Sequence, residues 1–487
     1  MVFSDTDFWI FFLVFLIFYS VTYQNRKWKN AILLIFSLFF YYKSSGWAIS
    51  ILLYVITQDF FLAKKIDQTI TRSGKKALIT ISVCTNLLLL GYFKYAYLLI
   101  DGLNRAFSLH IEKKNWIASL LPAKDLLQIN EANILLPVGI SFFIFHSLSY
   151  TIDVFRGIVK PLKNWGDYAL FVSFFPELVA GPIVRARDFV DQLFTPYHVE
   201  KQQFGKGVSL IIAGLAKKII LSDIISTQLV DRVFDSPELI SGPEALFGFY
   251  GYGLQIFCDF SGYTDIAIGL ALILGFQLKP NFDQPYKSLS VTEFWRRWHI
   301  SLSVWLRDYL YIPLGGNRKG EVRTYVNLLI TMLLGGLWHG ASLKFLLWGG
   351  LHGLALAIHK LWQSGYGKFS FQIPDPIAWF VTFHFALICW IPFRADGLEA
   401  SVLIWNKMFL AWDVSLLTQI LTQYKLPLSL LILGYAIHFL PDLVKNGYTQ
   451  FMEKIPVWSL GIVTIISFFV IYQFKTAESQ PFIYFQF

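Results

Sequence analysis

Long apolar stretches recur along the whole chain and alternate with short polar ones. A helix that crosses a bilayer needs about 20 mostly apolar residues, within a range of about 17–25. Several stretches reach that length. Others fall short of it, and we expect those to be re-entrant or buried among other helices. The apolar stretches cover residues 8–23, 30–42, 47–63, 77–100, 134–152, 168–184, 207–226, 245–258, 264–276, 324–338, 343–359, 377–393, 400–411, 426–440 and 456–474.

This pattern predicts an all-α polytopic membrane protein with about 10–12 transmembrane helices and one or two re-entrant hairpins. Membrane-spanning backbone must pair its own N–H and C=O groups, which favours helices. The alternating ten-residue strands typical of a membrane barrel do not occur in the sequence. Because no repeat or long linker divides the chain, we expect a single membrane domain over residues 1–487.

The composition agrees with lipid as the main solvent. Hydrophobic residues make up 55% of the chain and charged residues only 15%, whereas soluble domains have about a quarter charged residues. The net charge of +9 is typical of basic cytoplasmic loops and gives little reason to expect a nucleic-acid partner. The three cysteines are scattered in apolar stretches, so neither a disulfide framework nor a metal site is expected.

The distribution of Lys and Arg among the loops predicts the orientation. Residues 24–30, 64–76 and 153–165 are rich in these cations, which places them in the cytoplasm and the N-terminus outside. The loops that alternate with them are poorer in cations or mixed in charge, and we expect them on the outer surface. These loops are residues 1–7, 43–46 and 101–133.

The apolar stretch 168–188 contains residues that break a helix. Pro176, Gly181 and Pro182 interrupt it, and Glu177 lies in its apolar part. Irregular backbone at membrane depth is tolerated where protein or a water-filled cavity surrounds it. We therefore expect a re-entrant hairpin that lines a cavity. The alternative is a kinked span in which Glu177 pairs with an arginine.

Carboxylates also occur inside the apolar segment 253–265. Asp259 and Asp265 interrupt it together with hydroxyl and amide side chains. Carboxylates are costly inside a membrane, so they mark cavities or paired structural sites. We expect both to face a polar interior, where they either take part in chemistry or hold a hydrogen-bond network.

The segment 289–323 combines aromatic and basic residues. Thr292 is placed to cap a helix that begins near Glu293, and aromatic and apolar residues recur every three or four positions. This predicts an amphipathic interfacial helix. It would anchor the protein to lipid headgroups, bind a phosphorylated acyl carrier, or do both, since Arg and Lys suit phosphate. The candidate donor-binding residues are Arg296, Arg297, Arg307, Arg318 and Lys319.

A fourth segment, residues 332–353, carries two histidines and several glycines. His339 follows Trp338 at the end of an apolar stretch, and His352 comes thirteen residues later. The glycines permit close helix packing or a narrow passage. A single histidine in a span is more often packed and hydrogen-bonded than catalytic, yet an intramembrane ionisable group is a default functional candidate.

Taken together, these segments resemble the membrane-bound O-acyltransferase family, and within it the bacterial branch that includes alginate O-acetyltransferases. The shared strings occur in order, cover roughly half of the chain, and have their core between about residues 168 and 353. The matching strings are FFPELVAGPIVR (174–185), DFSGYTDIAIGLA (259–271), FWRRWHISLSVWLRDYLYIPLGGNR (294–318), GLWHGAS (336–342) and PFIYFQF (481–487).

The resemblance implies a helical body around a central passage in a bacterial inner membrane. It assigns His339, in the WHG motif, as the catalytic histidine and His299 as the second active-site residue. The donor would be acetyl-CoA or an acyl-carrier thioester from the cytoplasm, with no bound cofactor or metal. We expect five side chains to line the passage. These are Trp338, His352, Asp259, Asp265 and Glu177.

Three acceptors are compatible with this branch. An alginate-like exopolysaccharide is the first choice and peptidoglycan the second. Teichoic acid, which would receive D-alanine from a carrier-protein donor, is the third. Relatives of the first two kinds often pass the acetyl group to a periplasmic partner protein, so such a partner is expected. A transporter or lipid flippase is the alternative from a different class, because broken helices and intramembrane charges suit transport as well. It does not account for the pair His299 and His339.

Overall fold

The computed structural model describes residues 1–116, 134–179, 181–363, 373–475, 480 and 482–483. Part of the predicted outer loop 101–133 and most of the string 481–487 lie outside the described residues. The described residues form two compact units. The N-terminal unit comprises Met1–Val199 with Leu274–Leu278, and the C-terminal unit comprises Glu200–Ile273 with Lys279–Phe487. The single domain inferred from the sequence stays a prediction.

Helices make up nearly all of the regular structure in the described N-terminal unit. α2 and α3 are joined by a single 3₁₀ turn, and α6 is followed at once by the one-turn helix α7. The helices are α1 (Thr6–Thr22), α2 (Arg26–Ser45), α3 (Ile49–Gln68), α4 (Arg72–Phe107), α5 (Ile140–Phe155), α6 (Trp165–Ser173), α7 (Phe175–Leu178) and α8 (Ala186–Phe189).

The C-terminal unit is also helical throughout its described residues. The α-helices are α9 (Lys201–Leu215), α10 (Asp231–Asp235), α11 (Gly242–Ile273), α12 (Val291–Arg297), α13 (Ile300–Leu306), α14 (Glu321–His339), α15 (Leu343–Gln363), α16 (Asp375–Arg394), α17 (Gly397–Leu410), α18 (Leu417–Gln423), α19 (Lys425–Phe439), α20 (Asp442–Lys454) and α21 (Val457–Gln473). Segments of π-helix occur at Ala216–Asp223, Ser226–Val230 and Arg307–Tyr311.

The all-α polytopic membrane fold is confirmed. Among the described residues, four helical segments are long and apolar enough to cross a bilayer, or up to six if each of two sharply bent helix pairs is one span. The shorter apolar helices α1, α5 and α21 add to these. The total of about ten to twelve spans stays a prediction, because length and composition alone support the smaller number.

α11 differs from its sequence interpretation. The sequence has two apolar stretches here, 245–258 and 264–276, with polar residues between them. The structure instead has one continuous helix, Gly242–Ile273, which is buried along almost its whole length. Polar side chains do not interrupt a helix when its neighbours supply their partners, and Asp259 finds such partners.

The helices α14 and α15 are packed at very close range, and this packing positions the candidate site. A Cβ at Gly336 would overlap the carbonyl oxygen of Phe345, and one at Gly349 would overlap that of Met332. Glycine thus lets the two backbones approach closely, as at many membrane helix contacts. The contact sets His339, the last residue of α14, against Trp348 on α15.

We expect Gly349→Val to separate α14 from α15 and to lower both stability and activity, because the added side chain meets backbone that cannot give way. The thermal midpoint of the purified protein and its acyl-transfer rate would measure this. Gly461→Val is the control, since its Cβ would meet nothing within 4 Å. Equal behaviour of the two variants would contradict the packing argument.

Candidate active site

Three histidines of the C-terminal unit are connected through two tryptophans. The Trp338 ring lies 6.0 Å from that of His299 and 5.1 Å from that of His339, between ring centres. The Trp348 ring lies 4.9 Å from that of His339 and 4.8 Å from that of His352. His299 and His352 are fully buried, and His339 is 4% exposed. The structure therefore brings together four of the residues that the sequence singled out, in one aromatic cluster.

His299 occupies an unusual backbone position. It separates α12 from α13 with φ 42° and ψ 55°, in the left-handed region that residues other than glycine seldom adopt. Such a conformation costs about 1–2 kcal/mol and persists where the surroundings enforce it. Here the Ile300 N–H donates to the Asn281 carbonyl oxygen at 2.9 Å, which helps to hold the turn. This backbone conformation directs the His299 ring into the aromatic cluster, where it packs against Phe260.

Asn281 fixes the tautomer of the neutral His299 ring. Its Oδ1 accepts hydrogen bonds from the Ser301 N–H at 3.1 Å and the Ser301 hydroxyl at 2.9 Å. This identifies that atom as the amide oxygen, so His299 Nδ1, at 3.2 Å, must donate to it. The neutral ring then carries its lone pair on Nε2. His299 is thereby an oriented imidazole with a basic nitrogen on its far side.

The neutral His352 ring is the other tautomer, with its proton on Nε2. Trp295 Nε1–H donates to His352 Nδ1 at 3.2 Å, and an indole nitrogen can only donate. The lone pair of His352 is therefore used at Nδ1, and the neutral ring carries its proton on Nε2. His352 is better suited to donate a hydrogen bond than to act as a base.

The two aspartates have structural partners. Asp259 is 2% exposed, and its Oδ1 lies 2.6 Å from Lys218 Nζ. Its Oδ2 accepts from the Ile483 N–H at 2.8 Å, which attaches the C-terminal segment to α11. Lys218 also pairs with Asp223 at 2.8 Å. Of the two roles considered for Asp259, the structure favours a hydrogen-bond and ion-pair network.

Asp265 lies in a more open place. It pairs with Lys217 at 2.6 Å, and the side chains of Asp265 and Lys217 are 21% and 28% exposed. The contacts described for Asp265 do not join it to the histidine cluster. Its assignment to the passage lining rests on the sequence alone.

The basic segment does not form the predicted amphipathic helix. His299 breaks it into α12 and α13, and the cap is Ser290, whose hydroxyl accepts from the Glu293 N–H at 3.2 Å; Thr292 does not cap it. The aromatic stripe is buried in the unit, because it packs on neighbouring helices. The stripe comprises Trp295, Trp298, Leu302 and Trp305.

The five candidate donor-binding cations have different surroundings. Arg297 pairs with Glu293 at 2.9 Å, and Arg307 pairs with Asp308 at 2.8 Å. Arg296, Arg318 and Lys319 are exposed, and within the described chain no ion pair engages them. These three have the side chains best placed to meet an anionic ligand from solution.

Glu177 belongs to the N-terminal unit, in the one-turn helix α7. Phe174 separates α6 from α7, and Glu177 is fully buried. Neither of its carboxylate oxygens has a hydrogen-bond partner among the described residues. The arginine pairing considered as the alternative is therefore not found in the described structure, whereas the broken backbone expected of a hairpin is present.

Sequence reasoning missed three residues that shape this site. Asn281 orients His299, Lys218 neutralises Asp259, and Trp348 lies between His339 and His352. Asn281 lies in the loop KPNFDQP, which carries no periodic signal. Lys218 is part of an ordinary Lys-Lys pair, and only the structure shows that one of the two is buried.

We expect Asn281→Ala to lower the rate of acyl transfer by roughly tenfold or more, because His299 loses the acceptor that fixes its tautomer. Asn281→Asp keeps an acceptor oxygen at this position and should retain more activity. Measuring the acyl-transfer rates of both variants would test whether Asn281→Asp is the more active of the two. If Asn281→Ala were as active as the unaltered protein, the orienting role would be contradicted.

The chain is similar to known proteins along most of its length. The sequence model of the membrane-bound O-acyltransferase family matches residues 163–398. The probable alginate O-acetylase of Pseudomonas putida is 37% identical over the full length of both chains. That of Pseudomonas aeruginosa is 40% identical over 85% of this chain and 76% of its own, and the peptidoglycan O-acetyltransferase of Helicobacter pylori is 35% identical over 79% and 74%. The chain therefore belongs to the membrane-bound O-acyltransferase family.

Proposed function

We propose that this acyltransferase moves an acetyl group from a cytoplasmic thioester to a hydroxyl of an alginate-like exopolysaccharide. The observation that carries the proposal is the connected group His299–Trp338–His339, in which one imidazole is oriented by Asn281. The names of the relatives support acetyl as the group and alginate as the class of polymer. The enzyme would work in a bacterial inner membrane with its N-terminus outside.

In the proposed reaction, His339 is the general base. Its neutral imidazole takes the proton of the acceptor hydroxyl while that oxygen attacks the thioester carbonyl carbon. The tetrahedral intermediate then collapses and the carbon–sulfur bond breaks. The leaving thiolate takes the proton from the His339 imidazolium, which restores the neutral base. A base of ordinary imidazole strength suits this step near neutral pH. His299 would orient the reactants or stabilise the oxyanion.

The donor would approach from the cytoplasmic side. The exposed cations Arg296, Arg318 and Lys319 would meet the phosphates of acetyl-CoA or of an acyl-carrier prosthetic group. Arg297 and Arg307 would contribute less, because each already pairs with a carboxylate. Trp338 and His352 would line the passage between the two sides of the membrane. A periplasmic partner protein would accept the acetyl group where transfer to the polymer is not direct.

The acceptor is tested by measuring ester-linked acetate on the surface polymers of the source organism. We expect a strain that carries His339→Ala to lose acetate from its exopolysaccharide and to keep that of its peptidoglycan. Loss from peptidoglycan alone would contradict the proposed acceptor and favour the second candidate. That candidate is supported by the 35% identity to the Helicobacter pylori peptidoglycan enzyme.

A further inference from the structure

A large cavity in the N-terminal unit is lined by none of the residues assigned to acyl transfer. It has a volume of about 950 Å³, near the upper end of the range for small-molecule sites. Its lining comes from the start of α2, the loop before α6 and the region of α8. Lys64 at the end of α3 donates to the Lys163 carbonyl oxygen at 2.9 Å. All three loops predicted to be cytoplasmic are therefore brought together here.

The described lining of this cavity is basic. Five cations face two carboxylates, and one of the carboxylates, Asp167, already accepts from Asn30 Nδ2 at 3.1 Å. Arg26 also lies over the Phe194 ring, at 5.3 Å from its centre. Such a concentration of Lys and Arg is suited to a phosphate group. The cations are Arg26, Lys27, Lys160, Lys163 and Arg187.

Asn30 adds a polar group that requires a partner. It is 7% exposed and lines the cavity, and its Nδ2 donates to both Asp167 and the Leu193 carbonyl oxygen. Its Oδ1 is buried and has no hydrogen-bond partner among the described residues. An unsatisfied buried acceptor costs about 1–3 kcal/mol. A ligand hydroxyl that donates to this oxygen would remove that cost.

Apolar side chains also line the cavity. Ile158 and Phe194 are 48% and 40% exposed, and Ala31 and Leu34 continue along α2 from the basic first turn. α2 is part of a candidate membrane span, so a ligand here meets cations at one end and an apolar surface at the other. A soluble nucleotide would use only the first of these surfaces, whereas a phospholipid would use both.

We propose that this cavity binds the headgroup of an anionic phospholipid that carries a free hydroxyl, such as phosphatidylglycerol. The phosphate lies among Lys160, Lys163 and Arg26, the headgroup hydroxyl donates to Asn30 Oδ1, and the acyl chains follow Ala31 and Leu34. Basic pockets on the cytoplasmic side of membrane helices are known to hold anionic headgroups in this way.

The test is native mass spectrometry of the full-length protein in detergent with added phosphatidylglycerol or phosphatidylcholine of the same acyl chains. We expect one tightly held phosphatidylglycerol and at least about tenfold weaker retention of phosphatidylcholine. This comparison needs no variant. Equal retention of the two lipids would overturn the proposal.

Variants locate the site. Lys160→Glu/Lys163→Glu should lower the retention of phosphatidylglycerol by about tenfold or more. Arg72→Glu/Lys76→Glu makes the same charge change at exposed residues of the same unit that do not line the cavity, and should leave retention unchanged. Equal loss in both variants would mean a general charge effect and would contradict the site. Binding of coenzyme A that depends on Lys160 and Lys163, without lipid retention, would overturn the lipid assignment in favour of a soluble phosphate.

Discussion

His339→Ala is expected to reduce acetyl transfer by about 10²–10⁴-fold, equivalent to roughly 3–5 kcal/mol, because the acceptor hydroxyl loses its base. His339 is the last residue of α14 and its ring packs against Trp348 and Phe393. Its removal leaves a small cavity at the end of a helix, so the fold should survive. Transfer from acetyl-CoA by purified protein, with the elution profile as a check on folding, measures the effect.

A matched control is His198→Ala, since His198 is exposed and lies in the N-terminal unit. This variant should transfer acetyl groups at the rate of the unaltered protein. His299→Ala should also be impaired, and the shape of its pH profile would report whether His299 carries a proton or only orients the reactants. If His339→Ala kept more than a few per cent of the activity while His299→Ala lost it, the roles of the two histidines would have to be exchanged.

Lys218→Ala is expected to lower the free energy of unfolding by about 3–5 kcal/mol, since it leaves two buried carboxylates without their cation. Lys218 is 1% exposed and binds Asp259 and Asp223 at 2.6 and 2.8 Å. Asp259 also holds the Ile483 N–H, so the C-terminal segment should loosen as well. The thermal midpoint of the purified protein would record the loss.

The neighbouring Lys217 offers a matched comparison. It also pairs with one carboxylate, Asp265, at 2.6 Å, but both partners are partly exposed. An ion pair of this kind contributes about 0.2–1 kcal/mol, so Lys217→Ala should change the thermal midpoint only slightly. If the two variants were equally stable, the ion pairs of Lys218 with Asp223 and Asp259 would not stabilise the C-terminal unit as we expect.

The sequence predicted the helical membrane fold well, because apolar stretches of this length have few other structures available in a bilayer. It did not predict the continuity of α11. Hydropathy counts Asp259 as unfavourable in an apolar segment, and it does not include the ion pair with Lys218 that stabilises this carboxylate. It also placed one helix across His299. The left-handed turn there depends on Asn281, eighteen positions earlier, and no local pattern encodes such a contact.

The candidate site shows the same division. His339 and His299 were found through their motifs, and the structure joins them through Trp338. The sequence predicts one donor-binding surface from the cations of residues 296–319, although Arg297 and Arg307 pair with nearby acids. Spacing along a chain indicates which residues share an element. Which of them remain available for a ligand depends on partners from elsewhere in the fold.

The central claim is that the imidazole of His339 can be reached from both faces of the membrane. The most direct measurement uses sealed proteoliposomes with acetyl-labelled coenzyme A on one side only and acceptor oligosaccharide enclosed on the other. We predict that labelled acetyl groups reach the enclosed compartment with the unaltered protein and not with His339→Ala. Label that stays outside with both proteins, or enters equally with both, would contradict the account.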